Sequence, residues 1–196
     1  MIELQPPYRR ATPADAPALA ELANIAGEGM PLYLWTRMAE AGESPWDVGQ
    51  ERARREMGAF SYLNALMLEH QGKAVSCLIG YPLEDSPPPV NYSEMPSLFV
   101  PLQQLEDMAP GTWYVNVLAT YPEQRGKGFG RGLLAVAEAA AAAHGKRGLS
   151  LIVADSNAGA RRLYERLGYR ERARRPMVKD EWQTPGTSWV LLVKGL

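Results

Sequence analysis

Gly126, Gly128, Gly130 and Gly132 alternate with Arg125, Lys127, Phe129 and Arg131 in the stretch PEQRGKGFGRGLL. Glycine admits left-handed backbone angles and lets a ligand approach the main chain, and successive unpaired N–H groups at the start of a helix form a concave anion site. The chemistry such a loop performs is holding a phosphate. The same glycines would also serve a plain flexible entry into a helix. Spacing excludes two phosphate loops. A dinucleotide-binding G-x-G-x-x-G started at Gly126 puts Arg131 where the third glycine must stand, and started at Gly128 it puts Leu133 there. A G-x-x-x-x-G-K-[ST] loop fails because Gly126-Lys127 is followed by Gly128. Asp155, ending a later apolar run, imitates a ribose-binding acid, but the elements ahead of the loop do not build a dinucleotide unit.

The other reactive side chains read as structural. Cys77 lies in the apolar run AVSCLIG, the setting of a buried, inert thiol, and as the single cysteine it excludes an intramolecular disulfide. His70 falls in HQGK, a predicted hairpin turn, and His144 at a helix end, where an imidazolium favours the dipole; neither has ligand spacing, so no metal is expected. The run RERARRP, with Arg170, Arg172, Arg174 and Arg175, reads as the solvated face of a strand, a grip on an acidic substrate being the alternative. With 21 Lys plus Arg against 22 Asp plus Glu the formal charge is -1, so no global field recruits nucleic acid or an acidic membrane surface. No stretch approaches the ~20 apolar residues of a membrane span, and MIELQPPYRR lacks a signal peptide's apolar core. Together with the lone cysteine this predicts a cytoplasmic protein.

The loop needs elements to position it. A length of 196 residues with 46% hydrophobic content predicts a single domain. Residues 13–25 space Leu19, Leu22 and Ile25 on one helical face, with Thr12 as N-cap and Gly27 as stop. After the loop GEGMPLY, residues 34–41 and 45–57 read as a second, broken helix with Ser44 as cap. Short apolar runs at 61–69 and 74–81 flank HQGK as a hairpin. Five prolines from Pro82 to Pro96 predict an ordered surface loop, and 98–108 a short helix. The second half reads strand 113–119, helix 130–144, apolar strand 149–155, helix 157–167 capped by Gly168, then closing antiparallel strands 169–178 and 188–194. The five alanines at 139–143 suit close packing of a helix on a sheet.

Arg125-Gly126-Lys127-Gly128-Phe129-Gly130 matches R-x-x-G-x-G/A, the acyl-CoA pyrophosphate loop, so the chain resembles the GNAT superfamily of N-acetyltransferases. VLATYPEQRGKGFGRGLL is similar to that family's fourth strand, loop and third helix, and SNAGARRLYERLGYRE to its asparagine and fourth helix; the two motifs span about residues 113–171. The resemblance implies an α/β (α+β) fold: a strongly bent mixed sheet of six to seven strands flanked by four or more helices and splayed between the fourth and fifth strands. Residues 1–58 would then be a helical acceptor-side region and 113–171 the acetyl-CoA-binding core. It implies that Val117, Leu118 and Ala119 hydrogen-bond the pantetheine arm. The amides of Arg125, Gly126, Lys127, Gly128, Phe129, Gly130 and Arg131 would hold the pyrophosphate. Asn157 would contact the pantetheine or order the loop below it, with a plain helix N-cap as the equal alternative.

In acyl transfer from a thioester an amine attacks the carbonyl and the leaving thiolate needs a proton. Tyr164, in ARRLYERLGY, occupies the position of the tyrosine that hydrogen-bonds the CoA sulfur in many members, and without the family match it reads as a packed aromatic. Some members place a glutamate on the fourth strand; WYVNVLA departs from that pattern and offers Asn116 and Tyr114. Asn116 cannot take a proton, so its expected work is positioning the amine or a water, or simply a satisfied polar group. Glu28 in GEGMPLY and Glu94 in the proline-rich loop are the remaining candidate bases, and an amine can also lose its proton to water. Met30, Tyr33, Trp35 and Trp46 read as core aromatics and apolar residues, with a lining role in an acceptor pocket as the alternative. The resemblance thus implies an acetyl-CoA-dependent N-acetyltransferase acting on a small-molecule amine, and a homodimer is compatible with it. Protein or peptide acetylation, and cofactor binding without turnover, are the alternatives.

Overall fold

Seven strands and six α-helices are laid out along residues 2–196, which the computed structural model of the chain describes. Their order is β1 (Tyr8–Arg10), α1 (Ala16–Ala26), α2 (Met30–Met38), α3 (Pro45–Arg54), β2 (Ala65–His70), β3 (Lys73–Pro82), α4 (Val100–Glu106), β4 (Trp113–Thr120), α5 (Phe129–Ala143), β5 (Gly148–Ala154), α6 (Ala158–Arg166), β6 (Arg170–Pro176) and β7 (Ser188–Gly195). The strands run in the order β1-β2-β3-β4-β5-β7-β6. The sheet is mixed: β4 pairs with β5 in parallel, whereas β1–β2, β2–β3, β5–β7 and β6–β7 are antiparallel. By contacts the chain divides into two compact units, one holding the residues up to Tyr81 with Asn116–Val136, the other Pro82–Val115 with Ala137–Leu196.

In the first unit, α1 repeats apolar residues at helical spacing, and Leu19, Leu22 and Ala23 bury that face against Met67, Cys77, Ile79, Val117 and Ala119. Each fully buried leucine contributes roughly 1.5–3 kcal/mol. Thr12 and Asp15 close a capping box where the chain enters the helix, and Gly27 ends it. Gln71 and Gly72 both have positive φ, 53° and 73°, the conformation a two-residue hairpin turn requires between β2 and β3. A smaller cluster joins the three helices: Ala20, Trp35 and Val48, with Leu32, Trp46 and Phe60 packed on them. Trp35 lies flat against Gly49 of α3, close enough that any side chain there would meet its ring.

In the second unit β5 is the central strand, its Leu149 and Leu151 fully buried, and Val190, Leu191 and Leu192 of β7 are buried beside it. Thr112 donates to the Ala109 carbonyl at 2.7 Å and shares a 2.7 Å hydrogen bond with Ser150, so two buried hydroxyls satisfy each other where β4 begins. Asp155, just past β5, holds the start of β7 by accepting from the Thr187 amide at 2.9 Å and hydroxyl at 2.6 Å.

Three boundaries differ from the sequence reading. β1 was not anticipated, because three residues, YRR, carry no alternation; the strand is set by pairing Tyr8, Arg9 and Arg10 with Leu68, Met67 and Leu66, and by Arg9 reaching Asp15 and Glu69 at 2.8 and 2.7 Å. The second helix begins at Met30 rather than residue 34, since Pro31 suits a first helical turn. The strand expected from residue 61 begins at Ala65, because Ser61 accepts from the Leu63 amide and folds the segment into a single 3-10 turn.

Candidate functional site

The glycine loop lies wholly in the first unit. β4 ends at Thr120, Pro122–Gln124 makes a 3-10 turn, and α5 starts at Phe129. Gly126 and Gly128 adopt φ of 79° and 82°, which L-residues rarely do. Between the amide of Arg125, which donates to the Pro122 carbonyl at 3.3 Å, and that of Gly132, which donates to the Gly128 carbonyl at 3.1 Å, the amides of residues 126–131 make no hydrogen bond among the described residues. Four of these, residues 128–131, are the orphan donors that open any helix; the other two precede it in the turn of left-handed glycines. All of Arg125, Gly126, Lys127, Gly128 and Arg131 are exposed. Arg125 Nε donates to the Thr120 carbonyl at 3.3 Å and Lys127 Nζ to Gln124 at 2.7 Å, while Arg131 has no ion pair among the described residues. The result is a run of unpaired donors, a helix dipole and three cations with no carboxylate bound to them, an arrangement chemically able to hold a multiply charged anion.

The strand leading into the loop is locked from one side. Ser76 of β3 donates to the Ala119 carbonyl at 2.6 Å and accepts from Thr120 Oγ1 at 2.8 Å. Backbone groups alternate between strand edges, so Val117 shares that edge with Ala119, and Leu118 between them turns its N–H and C=O to the other. Ser76 was missed by sequence reasoning; the signal was a lone serine in the apolar run AVSCLIG, which needs a hydrogen-bond partner when buried. Pairing of β4 with β5 is recorded over Trp113–Val115 opposite Leu149–Leu151, and β4 continues five residues beyond it.

Asn157 and Tyr164 belong to the second unit. Asn157 caps α6, its Oδ1 accepting from the Ala160 amide at 3.1 Å, so its carbonyl oxygen is committed to the helix and its amide NH2 remains as donor. Tyr164 is buried with 7% of its surface exposed, and burial pushes its phenol well above the usual range. Its ring centre lies 5.7 Å from that of Tyr169. Tyr169's hydroxyl is sealed without a partner; that of Tyr164 also lacks a protein partner but is not sealed, so ring and hydroxyl occupy different surroundings. A phenol held protonated, with its O–H unpaired by protein, can donate one hydrogen bond to a ligand.

The remaining sequence candidates separate. Asn116 is exposed on β4, where its neighbours Val115 and Val117 are buried, and its side chain makes no hydrogen bond among the described residues. Glu28 sits in the tight turn between α1 and α2 at φ 53°, and it has an interaction of its own. Glu94 accepts from Asn91 Nδ2 at 2.7 Å within its own turn. Asp155 is engaged by Thr187, Ser188 and Ser156 and held at about 2, chiefly by the Thr187 hydroxyl, which makes it a structural carboxylate. Trp35 and Met30 are core, Trp46 packs edge-on to Trp35 at 6.0 Å, and Tyr33 holds Arg37 at 2.9 Å. His70 ends β2 with its ring 5.3 Å from Phe129, and His144 bonds the Ala140 carbonyl at 2.8 Å.

The model of the acetyltransferase (GNAT) family matches residues 30–169. Among solved structures, an acetyltransferase aligns with a TM-score of 0.66 at 23% identity over 96% of this chain and 98% of its own. A Drosophila melanogaster polyamine N-acetyltransferase, which forms N-acetylagmatine, aligns at 0.64 and 16% identity over 96% and 99%. A GNAT family acetyltransferase from Elizabethkingia anophelis with acetyl-CoA bound aligns at 0.50 and 18% over 67% and 75%. Among curated proteins no sequence matches significantly. No helix among the described residues is long and apolar enough to cross a membrane.

Proposed function

The chain belongs to the acetyltransferase (GNAT) family, and on that premise we propose that it transfers an acetyl group from acetyl-CoA to the primary amine of a small molecule, by direct attack in a ternary complex. The observation that carries this reading is the run of unpaired amides at residues 126–131, framed by two left-handed glycines and opening a 15-residue helix. A pyrophosphate needs several donors at once, and this loop supplies them from the main chain without reorganisation. The bound thioester supplies an activated acetyl group. Arg125, Lys127 and Arg131 add charge around the loop, and Leu118, within the stretch Val117–Ala119, offers backbone groups to an extended amide-bearing arm. The Asn157 NH2 serves the same arm. Tyr164 keeps its proton through neutral pH and donates it to the sulfur as the C–S bond breaks, so the thiolate leaves as a thiol. Asn116 orients the amine, and Glu28 is the candidate for accepting its proton. The activity is that of residues 1–196 taken as one acetyltransferase domain.

Acetyl-CoA and CoA should each raise the melting temperature of the purified chain, and NAD far less, because a ligand of the folded state stabilises it by mass action. Gly128→Val tests the loop. No protein atom lies within 4 Å of where its Cβ would sit, so the cost to the fold is local strain at φ 82°, on the order of 1–2 kcal/mol, while the branched side chain stands where the phosphate must approach. A folded Gly128→Val chain that still binds CoA normally refutes the phosphate assignment. Release of free thiol across a panel of amines, amino acids and peptides identifies the acceptor. Turnover with peptides alone, or with none of them, refutes the small-amine reading.

A further inference from the structure

A groove in the second unit shares no residue with the loop or with Tyr164. Its cavity measures about 330 Å³ and is lined by Ser97, Val100, Pro101 and Gln104 on the α4 side and by Arg175, Pro176 and Val178 on the β6 side. That is the lower end of the range in which small ligands bind. Its walls are two valines and two prolines; Val178 is left 36% exposed, an uncovered apolar side chain at the rim.

Arg175 sets the charge. Its Nε donates to Gln104 Oε1 at 3.3 Å, one Nη to the Arg174 carbonyl at 3.0 Å and the other to the Met108 sulfur at 3.7 Å. Every acceptor is neutral, the last is weak, and the guanidinium has five N–H donors and a permanent charge. It makes no ion pair among the described residues. Two carboxylates on the flanking elements are already hydrogen-bonded. Asp107 accepts from Tyr92 at 2.6 Å and from Gln103 at 2.8 Å, one on each oxygen, and Glu171 is bound by Arg174 at 3.0 Å. A partly buried cation with no ion-pair partner among the described residues therefore lies beside an uncovered apolar wall.

An inorganic anion would answer the charge and leave the wall wet, and an alcohol would cover the wall and leave the charge unanswered. We propose that this groove binds a small monocarboxylate with an apolar body, the carboxylate on the two Arg175 N–H groups still free and the body between Val100, Pro101, Pro176 and Val178. Bidentate pairing of arginine with a carboxylate is the stronger, geometrically specific form of this contact.

The test is a titration of the full chain with hexanoate, read from the methyl resonances of Val100 and Val178, with 1-hexanol as the uncharged comparator. Hexanoate is expected to shift both sets of methyls saturably by about 10 mM, and 1-hexanol at least tenfold more weakly. Arg175→Gln is expected to weaken hexanoate about tenfold or more, and Val100→Glu, which sets a carboxylate into the wall, to abolish binding. Should Arg175→Gln fail to fold, Val100→Glu alone decides. Absence of methyl shifts, equal binding of 1-hexanol, or wild-type binding by either folded variant overturns the proposal. Binding of CoA to the loop is unaffected by any of these outcomes and is judged separately.

Discussion

Replacing Tyr164 with phenylalanine removes one oxygen and keeps the ring that α6 buries. The hydroxyl makes no hydrogen bond to protein, so folding should lose less than about 0.5 kcal/mol, in the range of a neutral substitution. CoA affinity should change little, because pyrophosphate contacts lie elsewhere in the chain. Turnover should fall about 10²-fold, or about 2.7 kcal/mol, the cost of removing one donor from a developing anion. The assay is thiol release at saturating acetyl-CoA and amine, alongside urea unfolding of both proteins. A thioester whose thiol is more acidic needs less protonation on leaving, so the gap between wild type and variant should narrow with such a donor. Because burial raises the phenol, it stays protonated throughout neutral pH, and the wild-type rate should show no alkaline fall from this group below about pH 10. A kcat within about threefold of wild type would falsify the acid role. A stability loss above about 1 kcal/mol would mean that the hydroxyl serves the fold instead.

Gly49→Ala should destabilise the helical cluster by about 1–3 kcal/mol in urea, since its Cβ would fall 2.6 Å from the Trp35 ring; a variant as stable as wild type, gaining only alanine's helix propensity, would refute the packing. Asp155→Ala should cost about 1 kcal/mol at neutral pH, kept small because water reaches the carboxylate. With a folded value of about 2 below the unfolded one near 3.9, that stability is present above about pH 4 and lost as pH falls towards 2, so the two proteins should converge in acid and a constant gap sinks the linkage. Cys77, fully buried with its thiol pushed up to about 12, should react with a thiol reagent only as fast as the chain opens, and rapid labelling of the native protein would contradict its burial.

What could be read from sequence followed the length of the signal. The alternating glycines marked a turn ahead of a helix, and the structure places left-handed angles at two of them, Gly126 and Gly128. α5, β5 and α6 were legible from periodicity and from Gly168, at φ 91°, while Asn157, for which a cap and a ligand contact stood as equal alternatives, does cap α6. β1 was not, since a three-residue strand is defined by what it pairs with and carries no pattern of its own. The core places of Trp35 and Met30 were ambiguous for a related reason: helical spacing tells which residues share a face and not what covers it. For Ser76 the apolar run signalled that a partner is needed but not which one, because the partner is a carbonyl 43 positions away.

If the proposed amine acceptor lies along β4, it meets what that strand exposes. Along that strand Trp113, Tyr114, Val115, Val117 and Ala119 are buried, Leu118 and Thr120 are partly so, and Asn116 alone is exposed among the described residues. A carboxamide offers hydrogen bonds and no basicity, so the strand can orient an amine and cannot deprotonate it. Glu94, one of the two candidate bases, accepts from Asn91 inside its own turn. Glu28, the other candidate, has an interaction of its own and sits in a left-handed turn that Gly29, at φ 87°, continues. On the proposed reading, a primary ammonium with a pKa near 10 reacts through its small neutral fraction or gives up its proton by way of Glu28. The first route makes the rate rise with pH as the ammonium loses its proton and leaves Glu28 out of it. In the second, Glu28 must reach the amine directly or through one water, and the turn that holds it becomes part of the catalytic apparatus rather than a link between two helices.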